Sequence, residues 1–490
     1  MPTTAASSWW SAEMTGRPFM EPGLEEPILV IDEGRRDKLP PGKWVRRHLF
    51  NSWHNTLVTV LLVLLLGYAA YRFGLFLFVN GRWSPVRRNL TLFMVGRYPR
   101  EELWRIVAQV VIWSGTIGLA WGVAIAGASF RASQTGVAYR EDPLLTKVRR
   151  YWGLLGLLLL LLLLTESFGP LILALVAIGV GALLQVIGKR VPGQYADLMW
   201  AAVGVLAVGG YQIVSGFHGR GWIWMATPLA LGAVRLVGRI AWTDPRRERL
   251  MQLGVVAGVF GIGYVAYSML DLEGVGWDHW EGLHLNLIVA TVAIVLAFPL
   301  GLLLALARRS SLPALRVMAT SYIELIRGVP LISLLLMAQF FIGFFLNTTT
   351  PLSALTRAIA AFTLFTAAYI AEIVRGGLQS VPKGQIEAGQ SVGLSPFRVT
   401  RSIVLPQALR AVIPAMVGQF IALFKDTSLL SIIGMAEILQ VRALVHAQAE
   451  FRGFGIAETL VFVMLAFWAF SFTMSRESQR LERKLGIGER

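Results

Sequence analysis

Residues 377–406 read Gly-Leu-Gln-Ser-Val-Pro-Lys-Gly-Gln-Ile-Glu-Ala-Gly-Gln-Ser-Val-Gly-Leu-Ser-Pro-Phe-Arg-Val-Thr-Arg-Ser-Ile-Val-Leu-Pro. Gln385 to Val392 can form two helical turns, Gly393 suits the position just past a helix end, and Ser395-Pro396 can open the next helix as cap and first residue. Ile386, Ala388 and Val392 do not repeat over enough length to bury a core face. On either side stand apolar runs at 355–376 and 408–424, near the roughly 20 residues needed to cross about 30 Å of hydrocarbon. A short helix presented to water between two membrane spans is suited to docking a partner, and the plain alternative is a solvated loop.

Outward from that loop the apolar runs recur. Candidate spans lie at 55–79, 106–128, 151–166, 171–188, 197–214, 222–241 and 250–269, then at 285–307, 329–346, 355–376, 408–424 and 459–475. The uniformly apolar block 154–164 is expected to face lipid and specify little. Composition agrees: of 490 residues 55% are hydrophobic and 15% charged, with a mean hydropathy of +0.60. A soluble domain carries about 25% charged residues. The 45 Lys and Arg against 29 Asp and Glu give +16, but they fall in short runs between apolar stretches. That is the signature of membrane loops rather than of a nucleic-acid-binding face. The chain has no cysteine, which removes disulfides, thiolate catalysis and cysteine metal sites. Nor do the six His show ligand spacing, so no metal or cofactor is expected. A soluble enzyme, a disordered chain and a DNA-binding protein are excluded as main readings.

Lys and Arg set the orientation. With the N-terminus inside, the basic loops with Arg149 and Arg150, with Lys189 and Arg190, and with Arg246 and Arg247 are all cytoplasmic. The loop at 270–284 is then outside; it carries Asp271, Glu273, Asp278 and Glu281 and no Lys or Arg. Arg308, Arg309, Lys383, Arg398 and Arg401 place 377–407 inside, and both termini are expected in the cytoplasm. Residues 1–50 contain no apolar run before a small-residue cleavage site and read as a cytoplasmic tail. One segment disagrees. Residues 80–105 fall outside yet carry Arg82, Arg87, Arg88, Arg97, Arg100 and Arg105, so either they form a re-entrant or interfacial hairpin or the first two spans are misassigned.

Glu387-Ala388-Gly389, then Gly393, then Ile403-Val404-Leu405-Pro406, resembles the EAA motif of ABC-transporter permeases: E-A-A, three residues, G, nine residues, I-x-L-P. Every spacing matches, and the one departure is Gly389 in place of the second Ala. Residues 324–330 (Glu-Leu-Ile-Arg-Gly-Val-Pro), 368–377 (Ala-Tyr-Ile-Ala-Glu-Ile-Val-Arg-Gly-Gly) and 425–429 (Lys-Asp-Thr-Ser-Leu) look like the polar amino acid uptake branch, the histidine/glutamine/arginine permeases. That resemblance covers about 285–475. More weakly, 53–104 looks like the N-terminal extension of permeases from general L-amino acid systems, while 130–270 matches nothing that can be named.

The resemblance implies an all-α polytopic membrane protein: a cytoplasmic tail (1–50), an extension of about seven helices (51–280), a five-helix type I ABC importer permease core (281–476) and a C-terminal tail (477–490). It implies that Glu387, Ala388, Gly389, Gly393, Ile403, Leu405 and Pro406 serve an ATP-binding subunit. It also implies a second permease of the same fold and a periplasmic amino acid-binding protein, all in the lipid of a bacterial inner membrane. No Gly-x-x-x-x-Gly-Lys-[Ser/Thr] occurs, so the chain is expected to be non-catalytic, with ATP hydrolysed by another subunit.

Charges at membrane depth are costly and are functional candidates. Lys425 and Gln419 are expected on the substrate route, meeting a carboxylate with a cation and an amide, with Glu372 available to an ammonium group. Each has a plainer reading: Glu372 as an i,i+3 ion pair with Arg375, and Lys425-Asp426 as a cap before a second helix start at Thr427-Ser428. Two other classes compete. An ion- or proton-coupled secondary transporter usually has two similar halves, which seven spans followed by five do not make. A membrane enzyme needs a catalytic constellation, and none is visible.

Overall fold

The computed structural model describes residues 40–134, 144–165, 169–216, 221–238, 245–269, 274–341 and 352–484. The expected tail therefore lies largely outside the described residues. The chain divides into two units at Asn80 and Gly81. In the first, α1 (Pro41–Leu49) precedes α2 (Trp53–Leu75), which Ser52 caps by accepting a hydrogen bond from the Asn55 N–H. No residue of α2 is buried, as suits a helix whose whole circumference is apolar.

The second unit is helical throughout, with no strand among the described residues. It opens with α3 (Ser84–Arg88) and α4 (Leu90–Val95), followed by α5 (Leu103–Gln134), α6 (Leu144–Leu164) and α7 (Gly169–Arg190). Then come α8 (Ala196–Ser215), α9 (Gly221–Val237) and α10 (Pro245–Met269). Helices thus occur at all seven N-terminal positions. Among the described residues of the whole chain, eight helices are long and apolar enough to cross a membrane, while Tyr151–Leu164 and Ile223–Val237 are shorter apolar helices. α5 and α7 pack backbone to backbone. A Cβ at Gly188 would stand 2.8 Å from the Leu119 carbonyl oxygen, and one at Gly118 would strike Gly181. Small residues at such spacing let membrane helices approach and gain dispersion contact that lipid cannot match.

The C-terminal half contains α11 (Gly282–Arg308), α12 (Pro313–Gly328), α13 (Leu331–Phe340), α14 (Ala354–Ser380), α15 (Lys383–Ser391), α16 (Pro396–Val399), α17 (Leu405–Asp426), α18 (Ile438–Ala447) and α19 (Ile456–Lys484). Within the expected span at 329–346, α13 starts at Leu331 just past Pro330, and it meets α12 at a bend of 104°; residues 342–346 lie outside the described residues. Pro330 removes an N–H and forces Val329 into extended backbone, so a helix cannot run through. α11 and α14 are joined by small residues, with Ala293, Ala297, Ala367 and Ala371 fully buried. The 154–164 block is corrected. It is not wholly lipid-facing, because Leu157 and Leu164 are buried, and Trp152 packs edge-on against Trp468 and Phe472 of α19.

Residues 81–99 form two short helices laid on the core, and the candidate span Arg100–Gln134 begins just after them. Val86 and Phe93 are fully buried against α18 and α19, and Arg97 pairs with Glu281 at the start of α11. Beside it lies a buried polar knot. The Asn286 amide donates to Thr427 Oγ1 (3.0 Å) and Glu437 Oε2 (3.2 Å), and its oxygen accepts from the Ile438 N–H (3.1 Å). Glu437 caps α18 by accepting from the N–H groups of Leu439 (2.9 Å) and Gln440 (2.8 Å). Asn286, Thr427 and Glu437 are all wholly buried. Burial pushes the Glu437 carboxyl above its ordinary range, opposed by these N–H donors and the Asn286 amide. Asn286→Ala would orphan the Ile438 N–H and strip Glu437 of a donor. It should cost about 2–4 kcal/mol and lower the thermal midpoint of the detergent-solubilised protein, whereas Gln385→Ala, at an exposed position, should leave it near wild type. An unchanged midpoint for Asn286→Ala would remove the knot from the fold's supports.

Candidate functional site

The loop between α14 and α17 forms as its sequence directs. α15 ends at Ser391, and Gly393 takes φ +79°. The Gly393 N–H bonds the Gln390 carbonyl (2.9 Å) and the Leu394 N–H bonds the Gly389 carbonyl (3.2 Å). Paired bonds of this kind close a helix end around a left-handed residue, which glycine adopts without penalty. Ser395 precedes α16, and a π-helical turn at Thr400–Val404 carries the chain into α17.

The motif residues divide into two groups. Gly389 is buried, and a Cβ there would stand 2.8 Å from Ile403 Cδ1 and 3.1 Å from Val399 Cγ2. Ile403 and Leu405 are half-buried, so these residues hold the loop to the helix ends together with Leu378, Val381, Val399 and Val404. Glu387, Ala388, Gly393 and Pro406 are exposed. With them lie Val392 at 75% and Phe397 at 71% exposure, an apolar pair on an otherwise polar loop. Behind the helix is a cavity of 250 Å³, lined by Arg309, Ile386, Gln390 and Thr400 among others. The face is therefore anchored from within and apolar at its tip, as a docking element requires.

Glu372 stands at the same end of the bundle. Arg375 donates to both its oxygens (2.9 and 2.5 Å), Arg308 donates to one (3.2 Å), and Arg327 lies 3.8 Å away. Arg308 also donates to Glu324 at 2.8 Å, and Arg309 to the Leu378 carbonyl at 3.2 Å. The expected Glu372–Arg375 pair is present, enlarged by two arginines from α11 and α12. Glu372 thus joins three helices where the loop is hung, and its acceptor sites are engaged. Glu324 and Arg327 join the same cluster.

Gln419 and Lys425 are not brought together. Six residues along α17 are about 600°, so the two side chains point roughly 120° apart. Lys425 is exposed in the last turn, over a hollow of 340 Å³ walled by Leu439, Leu460, Val463, Met464 and Phe467 with Ser428. No ion pair holds it among the described residues. The helix restart after Asp426 is present as a 3₁₀ turn, Thr427–Ile433. Sequence reading missed the Asn286–Glu437 knot and the exposure of Phe397. The first joins residues 151 apart, whereas the second was signalled by a lone aromatic in a polar stretch.

Residues 297–486 match the family described as "Binding-protein-dependent transport system inner membrane component". The chain is 40% identical over 262 residues to the inner membrane amino-acid ABC transporter permease protein YhdY of Escherichia coli, spanning 53% of this chain and 71% of that one. It is 42% identical over 217 residues to the glutamate/glutamine/aspartate/asparagine transport system permease protein BztC of Rhodobacter capsulatus, half of whose length is covered (50%). It is 36% identical over 207 residues to the probable glutamine ABC transporter permease protein GlnP of Bacillus subtilis, spanning 91% of that chain. Among solved structures, that of an amino acid ABC transporter with histidines is 30% identical and matches 41% of this chain and 92% of its own, with a TM-score of 0.38. With an all-helical body, a loop bearing the motif and this degree of identity along most of the length of such relatives, the chain belongs to the inner membrane permeases of amino-acid ABC transporters.

Proposed function

We propose that this permease moves polar or general L-amino acids inward across a bacterial inner membrane, driven by ATP hydrolysis in a separate subunit seated on residues 377–407. The observation that carries this reading is the α15 tip: Val392 and Phe397 are exposed to water on a loop whose inner side is locked by Gly389, Ile403 and Val399. In this reading a second permease of the same fold completes the pathway, and a periplasmic amino acid-binding protein delivers substrate at the far end. Both termini are cytoplasmic. Movement of the docked helix passes through the Arg308–Glu372–Arg375 cluster into α11 and α14, a rigid-body switch between outward and inward access. Lys425 supplies a cation for the substrate carboxylate beside an apolar hollow, while Gln419, facing elsewhere, lines a different sector of the route. Glu372 is left to the cluster rather than to substrate.

Two substitutions test the two ends. Gly393→Val places a β-branched residue at φ +79°, costing about 1–2 kcal/mol or more and breaking the helix end. The membrane body should remain folded, because nothing packs within 4 Å of that position. Substrate-stimulated ATP hydrolysis by the complex in lipid should fall at least about tenfold, and Gly393→Asn, which tolerates the left-handed region, should retain most of it. Normal coupling in Gly393→Val would withdraw the docking role.

At the other end, Lys425→Met keeps length and removes charge. Uptake should fall about tenfold, by the 1.4 kcal/mol that one weakened charged contact readily supplies, with basal hydrolysis unchanged. Uptake rates and apparent affinities equal to wild type across several amino acids would leave Lys425 as a helix-end residue only.

A further inference from the structure

Segment 81–105 breaks the positive-inside pattern and is nevertheless held rigidly. Under the importer reading, on which this inference rests, it lies at the outer end. Glu281 and Gly282 begin α11, and Arg308 ends it after 27 residues, about 40 Å away on the side of the docking loop. Each tie fixes the segment to the core. The Arg82 N–H donates to Glu458 (2.7 Å), the Gln448 amide to Asn89 (2.9 Å), and the Arg97 N–H to Glu281 (2.8 Å). Arg82 lies over the Phe454 ring at 4.9 Å, and Arg88 pairs with Glu450. The Arg97 guanidinium is raised further above its ordinary value by its hydrogen bond and charge contact with Glu281, and it stays charged throughout.

The apolar side chains beneath are consumed in this packing, and the guanidiniums are left on top. Arg82, Arg87, Arg88, Arg97, Arg100 and Arg452 are all exposed, and Arg87, Arg100 and Arg452 have no acidic partner among the described residues. Against these six stand Glu101, Glu281, Glu450 and Glu458, an excess of two positive charges (6 − 4). Of the large apolar side chains of 81–105 Trp104 alone is exposed, at 48%, whereas the span helix α11 exposes Val295, Leu296 and Leu303. The platform therefore meets water rather than hydrocarbon.

We propose that this arginine platform is the docking surface for an acidic face of the substrate-delivering binding protein. Fixed cations over a rigid base lose little entropy on binding and steer an oppositely charged partner by long-range attraction. The same segment then explains its own insertion between α2 and α5: it is a landing surface built on the core from outside the five-helix region.

The test uses the assembled complex in nanodiscs of zwitterionic phosphatidylcholine, with the substrate-loaded binding protein that stimulates its ATP hydrolysis as probe. Arg87→Glu/Arg100→Glu/Arg452→Glu should raise the half-saturating concentration of that probe about tenfold or more at about 50 mM salt. The shift should shrink at about 500 mM salt, where charges are screened within a few Å. Basal hydrolysis and the maximal stimulated rate should not change, and Arg87→Lys/Arg100→Lys/Arg452→Lys should behave as wild type. An unchanged half-saturation overturns the proposal. So does a shift that appears only with phosphatidylglycerol in the disc, which would make the platform a lipid-headgroup surface. A wild-type complex that no binding protein stimulates overturns the importer reading, and this inference with it.

Discussion

A broken helix at protein depth leaves backbone N–H groups without partners, and the fold resolves this with one amide. Asn286 accepts from the Ile438 N–H with its oxygen while its nitrogen serves both Thr427 and Glu437. Away from water each such group would cost several kcal/mol unpaired, so irregular backbone is tolerated there only when protein supplies the bonds. Because Asn286 belongs to the first turns of α11, and Gly282 donates to the Ala436 carbonyl, the start of α11 is fixed to the chain's turn at 427–437. α17, α18 and α11 then share one end, and segment 81–105 is laid over it through Glu281.

The opposite end is held by charge. Glu372 is met by arginines from α11, α12 and its own helix, at a level where exposure is partial. Partly solvated ion pairs contribute little each, about 0–1 kcal/mol, and can be remade after a small shift, unlike the satisfied apolar and amide contacts at the other end. Between the two, α11 and α14 meet through alanines, whose smooth faces resist relative rotation less than interlocked large side chains do. The loop at 377–407 hangs from the remakeable end.

What was legible in the sequence follows the range of the interactions. Lengths of apolar runs, the α15 stop at Gly393 and the restart at Ser395-Pro396 depend on neighbours within about ten residues, and all three stand in the structure. The Glu372–Arg375 pair is one helical turn, so it too could be read; Arg308, 64 positions away, could not. The helix entry at Pro330 could be read because proline ends a hydrogen-bond ladder locally, but the 104° angle to the preceding helix could not. The Leu-rich 154–164 block carried no polar signal, and only the burial of Leu157 and Leu164 in the folded chain shows that one face is packed.

The arginines of 80–105 are the one place where charge bias and the order of the apolar runs disagree. The positive-inside pattern describes charges that must stay solvated while flanking helices insert, and it ignores where acidic partners wait. Arg97 and Arg88 find Glu281 and Glu450, residues 184 and 362 positions on, which exist as partners only once the core has formed. Those pairs and the burial of Val86 and Phe93 hold the segment to the core. A basic stretch there is thus a consequence of tertiary structure, and the cations left unpaired are the ones available for function.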